Sequence, residues 1–245
     1  MPSVGFGLDW HFLTGDAVLA SLTSLLDPLV HNNQRPVFNI TRQEQFSVTI
    51  NLEDGYIYGV EPAKAFVSFQ HLMRPKVVSG GLPVMEMSSR SMPYSELLSH
   101  VWRLLIDLTL TIPSGPRRSV TRVGVVTTTV VADDDAPPGI RRFVESIGRP
   151  WELGTEGFSV QITSVLDRKP KWVDKCIHSV ARPEQPDQML RLSFDWQRTF
   201  ESGQRLRRDS LESMSRDAQR DALAYFEDLA EGSRFNELVD SATTS

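Results

Sequence analysis

The chain has 245 residues, of which 40% are hydrophobic and 23% charged, and a formal net charge of −5. That composition suits a globular protein with a sizeable core, and excludes general disorder. The acidic balance argues against a general nucleic-acid binder, which needs clustered Lys and Arg. Cys176 is the only cysteine, so an intrachain disulfide and a cysteine-based metal site are ruled out. The longest apolar stretch, Leu97 to Ile112, contains His100, Arg103 and Asp107 and falls short of the roughly 20 residues a spanning helix needs. It is read as a buried core helix. Residues 1 to 13 show no basic region followed by an apolar one, so no signal peptide is expected and the compartment is read as cytoplasmic.

In chain order, Gly5 to Phe12 alternates as a strand does. Thr14 is placed to cap a helix over Ala17 to Leu26, with Asp16 in its first turn and Pro28 ending it. His31 to Pro36 reads as a loop. Gln45 to Leu52 alternates, with Phe46, Val48, Ile50 and Leu52 on one face. Glu53-Asp54-Gly55 is a hairpin turn, Tyr56 to Val60 the return strand, and Ala65 to Phe69 a further strand. Ser79-Gly80-Gly81 marks another turn, Val84 to Ser91 another strand. Pro93 opens a helix to about Thr109 whose apolar residues cover most of its circumference, so it is buried on more than one side.

Pro113 to Pro116 reads as a linker, after which the pattern restarts. Arg122 to Val131 is a β-branched strand, Asp133 to Pro138 a loop, and Ile140 to Ile147 a short helix. Strands follow over Gly157 to Leu166, Lys171 to Val180 and Met189 to Trp196. Phe200 to Ser213 is charged and poorly patterned. Ser215 reads as the cap of a last helix to about Ala230, with Ala222, Leu223, Phe226 and Leu229 inward.

Both parts thus give strand, helix, about three strands, helix. Phe46 to Ile50 matches Phe158 to Ile162 in four of five positions, and Met85 to Ser88 resembles Leu190 to Ser193. The expected architecture is α+β: two similar β-α-β-β-β-α halves, 1–113 and 122–240, joined by a linker at 114–121 and followed by a disordered tail at 241–245. Two such units can join edge to edge into one antiparallel sheet with the long helices on one side and the other face open. The alternative is two sheets folded against each other around Leu97 to Leu108.

No GxGxxG, GxxxxGK, HExxH or GxSxG motif occurs, and the histidines (His11, His31, His71, His100, His178) are not at metal-ligand spacing. No catalytic residue, cofactor or metal is therefore assigned. His100 is read as a core or edge residue. Asp133 to Asp135 lacks the spacing of a calcium loop and reads as solvated. Asp174, Cys176 and His178 share one strand face. A spacing of roughly 7 Å between alternate side chains makes Cys176 an unactivated strand cysteine. Basic residues cluster at Arg117, Arg118 and Arg122, at Arg141-Arg142, at Arg168, Lys169 and Lys171, and at Arg205, Arg207 and Arg208. They are candidate contacts for nucleic acid or an acidic partner. Trp151, Trp172 and Trp196 could stack on bases, though tryptophans in strands are more often core.

The order of elements resembles the duplicated saddle of the TATA-binding protein. The opening strand and helix, the hairpin over Phe46 to Phe69, the β-run over Val120 to Val131 and the terminal helix with Phe226 to Leu238 also resemble a sporadically distributed family of bacterial proteins of similar length. That family brings no established activity and no functional residues. The expectation is a bacterial, cytoplasmic complex subunit, a non-enzymatic binding or assembly protein acting on a protein partner or a second copy through its sheet surface or edge. Nucleic-acid binding through the Arg-rich loops, and a ligand or enzymatic cavity between sheet and helices, are the alternatives. No membrane association is expected.

Overall fold

A computed structural model describes residues 3–10, 37–42, 46–52, 54–76, 84–87, 89, 91–111, 119–148, 157–182, 189–205 and 207–231. The segments in which the sequence alternates most strongly become strands of one antiparallel sheet. They are β1 (Ser3–Trp10), β2 (Val37–Arg42), β3 (Phe46–Asn51), β4 (Tyr56–Val60), β5 (Lys64–Phe69), β8 (Val120–Ala132), β9 (Phe158–Lys169), β10 (Trp172–Arg182) and β11 (Met189–Gln204). The nine strands lie in the order β2-β3-β4-β5-β1-β8-β11-β10-β9. β6 (Met73–Lys76) and β7 (Val84–Met87) form a separate two-stranded hairpin. The helices are α1 (Tyr94–Thr111), α2 (Pro138–Gly148) and α3 (Arg208–Glu231), and a 3-10 turn spans Asp133–Asp135. Among the described residues no helix is long and apolar enough to cross a membrane.

The β3–β4 turn forms where Gly55 allows it. Its φ is 99°, and a Cβ there would meet the Gln70 carbonyl oxygen at 2.3 Å, so only glycine fits. From this hairpin the sheet grows through β5 to β1, and β1 pairs along its length with β8. On either side of that central pair the strand order is similar but not identical, since β2 lies beyond β3 and among the described residues no strand lies beyond β9. β1 neighbours β5, which is followed outward by β4 and β3; β8 neighbours β11, followed by β10 and β9. Phe46 to Ile50 and Phe158 to Ile162 accordingly fall in β3 and β9, at mirror positions. Met85 to Ser88 does not follow suit: it begins in β7, outside the main sheet, whereas Leu190 to Ser193 lies in β11.

Alternation gives the sheet an apolar face. Val4, Phe6 and Leu8 of β1, Ala65, Val67 and Phe69 of β5, Val123 and Val125 of β8, and Leu192, Phe194 and Trp196 of β11 are all buried there. α1 and α3 cover this face. The Phe6 ring meets Trp102 of α1 edge-on at 4.7 Å, and Phe194 packs against Tyr225 of α3 at 5.0 Å. Each such aromatic contributes about 1.5–3 kcal/mol through burial. α1 buries Leu97, Leu98, Val101, Trp102, Leu105, Ile106 and Leu108 because one side of it packs on the sheet and another against the neighbouring α3, to which Ser99 bonds through Gln219 at 2.8 Å.

α3 starts earlier than the sequence reading places it. Leu211, Met214, Ser215, Ala218, Ala222, Tyr225 and Leu229 form one buried stripe from its first turn. Ser215 is therefore no cap but a buried mid-helix residue that accepts a hydrogen bond from Gln219. β11 likewise runs past Trp196 to Gln204, into the stretch read as unpatterned. The segments read as the first helix, the 31–36 loop, the Ser79-Gly80-Gly81 turn and the 241–245 tail lie outside the described residues, as does most of the linker.

Candidate functional site

The face of the sheet opposite the helices is built from the alternate residues of the same strands. Strand register arranges them in rows across the sheet. One row runs Thr49, Gly59, Phe66, Gly7, Gly124, Gln197, Lys175, Val165. The next runs Asn51, Ile57, Ser68, Gly5, Val126, Asp195, Ile177, Thr163. A third runs Lys64, Asp9, Arg122, Thr199, Val173, Arg168. The rows mix charged, apolar and small residues, and their centre carries three glycines, Gly5, Gly7 and Gly124.

Those glycines form the floor of a shallow trough of about 250 Å³, walled by Phe66 and Val126 and edged by Asp9, Arg122, Asp195 and Gln197. At Gly5 and Gly7 a Cβ would meet nothing nearer than 3.4 Å, and neither residue has a positive φ. Packing does not require glycine at either position. Glycine within a strand costs about 0.5–1 kcal/mol relative to alanine, and often marks a place where another molecule or backbone approaches closely. Gly124 is more constrained: a Cβ there would lie 3.0 Å from the Trp196 carbonyl oxygen.

A polar chain crosses three strands along the trough's edge. Arg122 donates from Nε to Asp9 Oδ2 at 2.5 Å, and its Nη1 donates to Gln197 Oε1 at 3.4 Å. Gln197 Nε2 in turn donates to Asp195 Oδ2 at 2.6 Å. Partial burial raises the Asp195 pKa above its ordinary value, while the Gln197 hydrogen bond and the Arg122 charge pull it back.

Most of the predicted basic residues are brought to one end of the sheet, whereas Arg141 and Arg142 lie on α2, which follows the other end of β8. Lys169 closes β9, Lys171 forms the β9–β10 turn, Arg205 and Arg207 follow β11, and Arg208 opens α3. Lys171 and the end of β11 are linked by Glu201 N–H donating to the Lys171 carbonyl at 3.1 Å. Arg122 and Arg168 share the third row, roughly 14 Å apart across three strand spacings. Arg117 and Arg118 lie outside the described residues. Several of these charges are already matched: Arg122 with Asp9, Lys169 with Asp167, Arg208 with Asp107 and Glu212. At the opposite end of the sheet, Arg182 of β10 pairs with Asp133 at 2.5 Å, while Asp134 and Asp135 are exposed.

Two readings of strand β10 need correction. Cys176 Sγ and His178 Nδ1 are 3.9 Å apart, nearer than ideal alternation allows. Cys176 is buried, and the partly buried His178 ring packs on Tyr225 at 4.7 Å. Asp174, the third member, belongs to a different group. It accepts Arg198 Nε at 2.7 Å and Nη2 at 2.6 Å, and Arg198 also reaches Asp217 of α3 at 3.2 Å. The guanidinium lies 3.9 Å over the Trp172 ring. This buried cluster ties β10 and β11 to α3. Trp196 is fully buried and donates to Asp221, so it offers no stacking platform; the partly buried Trp172 carries the Arg198 guanidinium on its ring, and Trp151 lies outside the described residues.

A second hollow lies between the β3–β4 turn and α1, lined by Asp54, Tyr56, Ser95, His100 and Arg103 among others. His100 packs on Tyr56 at 5.1 Å, and burial and Arg103 lower its pKa. Among the described residues no group of three or more His, Cys, Asp or Glu is placed to hold a metal ion. β9, at the edge of the sheet, exposes Ile162, Val165 and Leu166.

No protein-family model matches the chain, and no curated protein or solved structure matches it either.

Proposed function

We propose that this chain is a non-enzymatic binding protein that docks a protein partner on the helix-free face of its sheet, centred on the glycine-floored trough. The observation that carries this reading is the pair Gly5 and Gly7. They stand in the central strand, cost stability there, and have no packing reason to be glycine. The benefit of their missing side chains is access to the bare sheet. Val126, 43% exposed, and the ring of Phe66 supply apolar contact, and the Asp9–Arg122–Gln197–Asp195 chain supplies polar groups held in fixed positions. An apolar centre with a polar edge is the usual make-up of a protein interface.

The test compares two single substitutions of exposed residues. Val126→Asp alters the trough; Glu227→Lys alters the outer face of α3. Affinity for the partner that co-purifies with the native chain is then measured for each. The reading expects Val126→Asp to abolish binding and Glu227→Lys to leave it intact. The reverse pattern would move the interface to the helices and overturn it.

A second reading, nucleic-acid binding, draws on the convergence of Arg168, Lys169, Lys171, Arg205, Arg207 and Arg208 at one end of the sheet. Its signature is affinity that falls steeply with salt. The acidic partners already matched to several of these side chains favour the protein-binding reading.

A further inference from the structure

Two carboxylates edge the trough, and only one is neutralised. Asp9 is held by the Arg122 guanidinium. Asp195 has Gln197 as its hydrogen-bond partner and makes no ion pair among the described residues. A half-buried carboxylate with one amide hydrogen bond and only the more distant charge of Arg122 retains much of its cost of desolvation. An incoming cation would remove that cost. The rest of the trough restricts which cation. Its floor is flat backbone at Gly5, Gly7 and Gly124, and its volume of about 250 Å³ admits one long side chain. The wall formed by Phe66 already takes a cation on its ring, with Lys64 Nζ 5.5 Å from the centroid.

We infer that the trough receives an arginine side chain of the partner, its guanidinium lying flat on the glycine floor against Phe66 and donating to Asp195. A guanidinium is planar, is less strongly hydrated than an ammonium, and presents a fork of donors that matches a carboxylate. A lysine would offer the charge without the flat shape. A tryptophan or tyrosine would offer the shape and one donor but leave Asp195 unneutralised. This inference rests on the reading of the open face as the docking surface.

The probe is N-acetyl-arginine-N-methylamide, titrated into the full-length 15N-labelled chain and followed by amide shifts. The lysine and citrulline counterparts serve as comparisons, citrulline being the neutral isostere. Saturable shifts at Gly7, Gly124 and Asp195 are expected. Citrulline should bind at least about tenfold more weakly, and Asp195→Asn should lose about tenfold for arginine. Asp195→Asn is nearly isosteric, and its own amide spectrum reports whether it folds; Phe66→Leu, which keeps an apolar wall but removes the ring, should also weaken arginine. Equal binding of arginine and citrulline, or unchanged arginine affinity in Asp195→Asn, overturns the inference. If arginine fails while Val126→Asp still abolishes partner binding, the docking face stands and the arginine assignment falls. If Val126→Asp has no effect, the docking face itself falls and takes the assignment with it.

Discussion

Gly7 of β1 and Gly124 of β8 are direct partners across the central strand pair, so two neighbouring positions in the middle of the sheet carry no side chain. Next along β1, Gly5 faces Val126. The three together leave bare backbone where a sheet of this size would ordinarily carry β-branched residues.

Gly7 is where stability and binding separate. Gly7→Ala places a methyl group no nearer than 3.4 Å to any neighbour. It is expected to leave the fold unharmed or stabilise it by about 0.5–1 kcal/mol, while raising the trough floor and weakening partner binding. Urea denaturation and a binding assay on the same preparation check both halves. Loss of stability with retained binding would show that glycine serves the fold there.

The Asp174–Arg198 pair is expected to matter to the fold alone. Both side chains are nearly excluded from solvent, at 8% and 10% exposure. Removing one partner, as in Asp174→Ala, leaves the buried guanidinium with Asp217 as its remaining anion and is expected to cost up to about 3–5 kcal/mol. Replacing both, as in Asp174→Leu with Arg198→Met, should recover most of that. The measurement is the shift in urea midpoint at constant m-value.

Tyr56 buries its hydroxyl with no hydrogen-bond partner among the described residues, and burial together with the Asp54 charge pushes its pKa up to about 12. Because none of these satisfies the hydroxyl, Tyr56→Phe is expected to be neutral or to stabilise the protein by about 1 kcal/mol. Thermal or chemical denaturation decides it; a clear destabilisation would reveal a partner for the hydroxyl.

Asp195 sets an expected pH dependence. Its pKa is raised above the ordinary 3.8, so the folded chain holds this proton to higher pH than the unfolded chain does. Stability should therefore fall as pH rises from the unfolded value through the raised folded one, and Asp195→Asn should remove that component. Arginine affinity should run the other way, rising across the same window as the carboxylate ionises. Arg122 on β8, Asp9 on β1 and Lys175 on β10 are the other charges on this part of the face. Parallel titrations of the native chain and Asp195→Asn check both trends.

The long edge strand β9 carries Ile162, Val165 and Leu166 at 45%, 51% and 47% exposure. Exposed apolar edges promote association between chains. Ile162→Lys, on the face opposite the trough, is expected to lower concentration-dependent self-association without altering binding at the trough, as measured by sedimentation.

Much of the fold was legible because half-buried strands write their faces into the sequence. Phe46, Val48 and Ile50 in β3, Gly55 at the turn and the apolar breadth of α1 all carried over to the structure. The expectation of one sheet with helices on one side follows from the same alternation. Two boundaries were obscured by polarity. The end of β11 carries Phe200 as its one large apolar residue among Gln, Arg, Thr, Glu and Ser, and the start of α3 hides Leu211 and Met214 among Arg, Asp and Glu. The trough was not legible. Gly5, Gly7 and Gly124 alternate with apolar residues in GFGLD and VGVV, but only strand register places them side by side. Register likewise brings Asp174 opposite Arg198, twenty-four positions along the chain. The basic segments were visible one by one, yet the gathering of most of them at one end, and the acids that match them, depend on the order of β8, β11, β10 and β9.

The decisive measurement is photo-crosslinking from a reactive amino acid placed at Val126, compared with one placed at Glu227. If the bare face is the docking surface, the Val126 probe forms a discrete adduct with the partner and Gly7→Ala suppresses it. An adduct from Glu227 alone, or one from Val126 that Gly7→Ala leaves unchanged, would contradict the account.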